Sequence, residues 1–120
     1  MITKVQALNY RCLRHVNQEL SRLNVLVGPN ASGKSTFLDV ISFLGDFLAE
    51  GLDAALYGSR SMGSFNDLLF DGKGGCFELV VELRMPKELL SVTGVNESKT
   101  HCRYQVRIGI GTEGKEVEIL

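Results

Sequence analysis

The chain has 120 residues, 44% of them hydrophobic and 22% charged, which is too apolar for a disordered segment. Its 13 basic and 14 acidic residues leave a formal net charge of -1, which argues against a basic arm wrapped along nucleic acid. Apolar runs are only a few residues long, so no membrane span is expected, and the N-terminus lacks the apolar stretch of a secretory signal. Cys12, Cys76 and Cys102 are odd in number and form no CxxC pair. They are expected as buried small apolar residues in a reducing, cytoplasmic setting.

In chain order, residues 2–10 mix apolar and polar positions and read as a strand, followed by a polar connection to residue 22. Leu23-Asn24-Val25-Leu26-Val27 is a short branched apolar run ending at Gly28-Pro29, the pattern of a buried strand. From Gly33 the period changes. Phe37, Val40, Ile41, Leu44, Phe47 and Leu48 recur at threes and fours, predicting a helix about sixteen residues long that stops at Gly51. Residues 52–75 read as a flexible Gly/Ser-rich insertion, in which Ser64 and Asp67 offer a loose capping box for one short helix through Phe70. Phe77, Leu79, Val81, Leu83 and Met85, then Cys102, Tyr104, Val106, Ile108 and Ile110, alternate with mostly polar neighbours. Both runs predict antiparallel strands with one wet face. Thr112-Glu113-Gly114 offers a tight turn into a last strand over residues 116–120.

Between the apolar run and the helix, Gly28-Pro29-Asn30-Ala31-Ser32-Gly33-Lys34-Ser35 matches GxxxxGK[ST], the phosphate-binding P-loop. Placement between a strand and a helix is the context in which that motif works. Glycines and small residues let successive N–H groups converge on an anion, and the helix start adds its unpaired N–H groups and the positive end of its dipole. Lys34 would reach the β- and γ-phosphates, the Ser35 hydroxyl would ligate Mg²⁺, and Thr36 would meet the α-phosphate. The expected ligand is a nucleoside triphosphate with Mg²⁺. The chain then divides into a P-loop core (residues 1–51), the insertion (52–75) and antiparallel strands of the same domain (76–120).

Asn9-Tyr10-Arg11 at the end of the first strand, followed about twenty residues later by the P-loop, resembles the N-terminus of RecF/SMC-type ATPases. That superfamily has ABC-type heads and includes the OLD-like and AAA-labelled ATPases. Tyr10 stands where the family has phenylalanine and Ala31 where it has a second glycine. The likeness is specific over residues 2–44. It implies an α/β P-loop NTPase fold, the N-terminal part of an ABC-type head with an antiparallel β subregion. It also implies ATP as ligand, hydrolysis in the complete protein, a second head as homodimer partner and DNA as a further partner, in DNA repair and maintenance or in phage defence. By the same resemblance Arg11 would lie near the nucleotide phosphates or base, with a solvated surface arginine as the alternative.

Hydrolysis needs a second carboxylate site that holds Mg²⁺ and positions water. In the resembling family this is an apolar strand ending in Asp-Glu, after a signature segment; neither run is present here. The nearest mimic, Leu68-Leu69-Phe70-Asp71, reads as the end of a small helix. Asp71-Gly72-Lys73-Gly74 matches DxxG and supports an alternative, a small GTPase-like protein, although no NKxD-like motif accompanies it. A second alternative is a truncated, non-catalytic nucleotide-binding or interaction module. Arg60 reads as a solvated loop charge, with DNA or a second head as its alternative contact, and His15 and His101 read as surface histidines.

Overall fold

Strand β1 (Ile2–Tyr10) is the second strand of an antiparallel sheet ordered β2-β1-β3-β4-β5. The others are β2 (Leu13–Glu19), β3 (Cys76–Arg84), β4 (His101–Ile110) and β5 (Val117–Ile119). The computed structural model describes residues 1–29, 33–58, 64–85, 88, 92, 101–111 and 116–119. In the β1–β3 register Val5 faces Val81 and Ala7 faces Leu79, so β1 belongs to the same sheet as the strands of residues 76–120. β4 and β5 form the expected hairpin, with Gly109 opposite Glu118; the turn read at Thr112-Glu113-Gly114 lies outside the described residues.

Strand β2 departs from the polar connection expected at that place. It pairs with β1 alone and forms the sheet edge, with most of its side chains in water. An edge strand with little to bury has no need of apolar alternation, so the periodicity that signals a strand is missing.

One sheet face carries the core. Val5, Ala7, Phe77, Leu79, Val81, Val106 and Ile108 pack with Phe37, Val40, Phe43 and Leu44 of α1 (Lys34–Glu50). The helix ends as expected at Gly51, which takes φ +95° while its N–H bonds the Phe47 carbonyl at 3.0 Å. Residues 52–75 contribute more than a surface stretch. They form α2 (Leu52–Tyr57) and two 3-10 turns (Phe65–Leu68 and Phe70–Gly72), and bury Ala55, Leu56, Phe65, Leu68 and Leu69. The Ser64–Asp67 capping box is formed, with the Ser64 N–H donating to Asp67 Oδ2 at 3.0 Å. Such short turns bury residues at irregular spacing, which periodicity analysis does not register.

Two further expectations are corrected. Leu23-Asn24-Val25-Leu26-Val27 is neither strand nor buried: Leu23, Val25 and Val27 are 81%, 76% and 84% exposed. A buried strand needs backbone partners and covered faces, and among the described residues none pairs with this run. The cysteines are free but not buried. Cys12 lies exposed in the β1–β2 turn, Cys102 is exposed near the start of β4, and Cys76 is half-buried.

Phe77 is the hub of the aromatic core. Its ring lies 5.0 Å from Tyr10, 5.6 Å from Phe43 and 5.8 Å from Phe65, tying β1, α1 and the first 3-10 turn to β3. Truncating such a ring costs about 3–5 kcal/mol, a large part of the roughly 5–15 kcal/mol available to a domain. Phe77→Ala is therefore expected to lower the denaturation midpoint severely. Leu48→Ala, at a solvent-exposed helix position, should stay within about 0.5 kcal/mol of wild type by the same urea titration.

Candidate nucleotide-binding site

The start of α1 is built to leave backbone donors free. Gly33 takes φ +98°, ψ 5° as N-cap, and the first helical bond runs from the Phe37 N–H to the Gly33 carbonyl at 2.8 Å. The N–H groups of Lys34, Ser35 and Thr36 precede that bond and have no acceptor within the helix. Among the described residues no side chain caps them, and the first turn carries no acidic residue. The partial positive charge of the helix end is thus left uncompensated locally.

Gly33 is required on two counts. Its φ is one that side-chain-bearing residues rarely adopt, and a Cβ there would stand 3.1 Å from Leu13 Cδ2 and 3.4 Å from Cys12 Sγ. Lys34 donates through Nζ to the Gly28 carbonyl, joining the two ends of the loop. Gly28 and Pro29 are exposed, as is Ser35; Thr36 is half-buried, and its Oγ1 accepts a bond from Cys12 Sγ at 3.2 Å. Asn30, Ala31 and Ser32 lie outside the described residues, and so does Arg60. A free helix start, a lysine at its first position and a serine hydroxyl beside it form a donor set that fits a Mg²⁺-bound polyphosphate.

The β1–β2 turn packs against this helix start. Asn9 and Arg11 both hold left-handed backbone, at φ +60° and +50°. Asn9 Nδ2 donates to the carbonyls of Lys73 (2.7 Å) and Cys76 (2.9 Å), and the Arg11 N–H donates to the Leu68 carbonyl (2.8 Å). Between them the buried Tyr10 donates its hydroxyl to Asp39 Oδ2 at 2.5 Å, and Arg11 Nη1 reaches the same oxygen at 3.3 Å. Arg11 is therefore held beside α1. Asp39 is not singled out by the sequence pattern, and Asn9 enters only as part of the Asn9-Tyr10-Arg11 motif. The signal for Asp39 was its spacing: it follows Ser35 by four residues and Thr36 by three, on the same helix face.

A cavity of about 600 Å³ opens between β2, residues 23–27 and the start of α1. Leu13, Val16, Leu20, Leu26 and Phe37 line it, and Lys34 is the one charged residue among its described lining. Gln18, Asn24 and Gly33 also line it, so the cavity reaches the start of α1 and carries both apolar and polar walls. Leu68 and Leu69 lie in the core, and Asp71 is exposed in a 3-10 turn at φ +53°, so this run is no apolar strand delivering a carboxylate. His15 and His101 are exposed. On the polar sheet face Arg103 pairs with Glu82 (2.8 Å), Gln105 bonds Glu78 (2.8 Å), and Arg107 donates to Cys76 Sγ (3.5 Å), a bond that raises the guanidinium pKa. Charges of both signs alternate there, which is not the pattern of a basic stripe.

The chain is similar to known ATPases and an OLD nuclease. The family model described as AAA ATPase domain matches residues 1–100. An OLD nuclease of Thermus scotoductus (strain ATCC 700910 / SA-01) is 43% identical over 47 residues, 38% of this chain and 9% of that protein. The chain thus spans about a tenth of that relative's length. A solved structure from work on ATP-driven dimerization and DNA-stimulated activation of SMC ATPases aligns with a TM-score of 0.59 at 22% identity, covering 99% of this chain and 68% of the other. That likeness establishes the fold.

The two glycines of α1's start and middle make opposite predictions. Gly33→Ala should destabilise by about 1–3 kcal/mol, the range for a strained non-glycine backbone. Gly45→Ala, with no atom within 4 Å of its added Cβ, should stabilise by about 0.5–1 kcal/mol through helix propensity. Paired thermal melts check both signs.

Proposed function

Because the chain belongs to the AAA ATPase domain family across residues 1–100, we propose that it binds ATP with Mg²⁺ at the loop of residues 28–35 and serves hydrolysis in the complete protein. The observation that carries this reading is the uncapped start of α1 behind the left-handed Gly33, with Lys34 beside it. In this reading the N–H groups of residues 33–36 hold the phosphates, Lys34 supplies the mobile cation, and the Ser35 hydroxyl is the protein's ligand to Mg²⁺. Bound Mg²⁺ neutralises charge developing between the β- and γ-phosphates.

Two partners follow from the SMC ATPase likeness as proposals: a second copy of the head, brought together by ATP, and DNA. The balanced charge of the chain gives the DNA proposal no added weight. A GTPase reading would need Asp71 to sense the γ-phosphate, and membership of an ATPase family does not favour it.

Lys34→Ala is expected to weaken MgATP binding at least about tenfold, the lower value for losing a charge-assisted bond. Calorimetry with ATP and GTP side by side checks the claim. Unchanged affinity in the variant would refute the phosphate role of the loop, and tighter GTP than ATP binding would restore the GTPase alternative.

A further inference from the structure

We propose that Asp39 is a positioning residue of the nucleotide site, holding the Arg11 guanidinium beside the first two turns of α1, where it meets the phosphates bound by the loop. This inference rests on the reading of residues 28–35 as a phosphate site.

The geometry carries it in three steps. First, the turn bearing Arg11 is held from several sides at a cost in backbone strain. Asn9 and Arg11 are both left-handed, a conformation that costs on the order of 1–3 kcal/mol at each non-glycine residue and persists only where the surroundings enforce it. Here the enforcing bonds are those of Asn9 to the Lys73 and Cys76 carbonyls, and of the Arg11 N–H to the Leu68 carbonyl. An exposed ion pair contributes little to stability by itself, so stability does not account for arranging strained backbone to present this arginine. Second, the carboxylate is fixed before it meets Arg11. Tyr10 is fully buried, its ring lies 5.0 Å from Phe77 and 6.0 Å from Phe43, and its hydroxyl holds Asp39 Oδ2 at 2.5 Å. Asp39 side-chain exposure is 18% against 45% for Arg11, so the acid is the anchor and the base the reaching group.

Third, the pair stands next to the phosphate cradle. The same turn touches it directly, through Cys12 Sγ on Thr36 Oγ1 at 3.2 Å and through Leu13 and Cys12 against Gly33. Asp39 lies one helical turn beyond Ser35 and Thr36 on their face of α1. Arg11 engages Asp39 through Nη1; a guanidinium has five N–H donors in a fixed fork, which leaves capacity for a phosphate.

The proposal predicts a sign that plain electrostatics does not. Removing a negative charge near bound phosphate should tighten ATP binding, by roughly twofold at such distances in water. Loss of a positioning group should weaken it instead. In the full chain, Asp39→Asn is expected to weaken MgATP binding by about three- to tenfold, part of the loss expected for a whole charge-assisted bond. Arg11→Ala should lose at least as much, and the double variant no more than Arg11→Ala alone, because the two act through one contact. Asp39→Glu keeps the charge but moves the anchor, should fall between wild type and Asp39→Asn, and carries the test if Asn at this position does not fold. Tighter or unchanged binding in Asp39→Asn or Asp39→Glu, or losses that simply add in the double variant, would overturn the proposal. Lys34→Ala is the companion arm: if it abolishes binding while the Asp39 variants bind normally, this inference fails and the phosphate site stands. If Lys34→Ala binds normally, the phosphate site itself is refuted.

Discussion

The seating of α1 on the sheet is the constraint on which the rest of this structure depends, and it is made at Tyr10. The ring sits at the end of β1 between Phe43 of the helix and Phe77 of β3, and its hydroxyl meets Asp39. One side chain therefore sets both the distance of the helix from the sheet, through aromatic packing, and its rotation, through a directional bond. The helix start, its free N–H groups and Lys34 take their places from that seating. Phenylalanine, the family's usual residue here, would keep the packing and give up the bond.

What the sequence made legible was whatever repeated or matched a motif. The bounds of β1 and α1 and the alternating face of β3 all follow from patterning, and the left-handed glycine before α1 stands where the GxxxxGK[ST] match puts Gly33. The misses have physical causes. Strand β2 buries little and so shows no alternation. Ala55, Leu56, Phe65, Leu68 and Leu69 reach the core from a short helix and 3-10 turns, where spacing obeys no single period. Tyr10 and Arg11 meet Asp39 through tertiary structure alone; the Asn9-Tyr10-Arg11 pattern does not carry its bond to α1.

The run of residues 23–27 is the instructive disagreement. Its composition is that of a strand buried on both faces, yet Leu23, Val25 and Val27 stand in solvent beside the cavity. Composition reports the environment for which a segment is suited, whereas exposure here reports the company it has within 120 residues. The chain covers 68% of the SMC ATPase structure it aligns with, and the apolar run leads directly into the phosphate loop.

The central claim is that the free N–H groups at the start of α1 receive phosphate, and it is tested most directly at those groups. Backbone amide NMR of the protein titrated with MgATP reads each N–H separately. The account predicts that the amides of Gly33, Lys34, Ser35 and Thr36 shift most, downfield as they take a charged acceptor, with Arg11 following. Shifts confined to the polar face of β3 and β4, with the start of α1 unmoved, would contradict it.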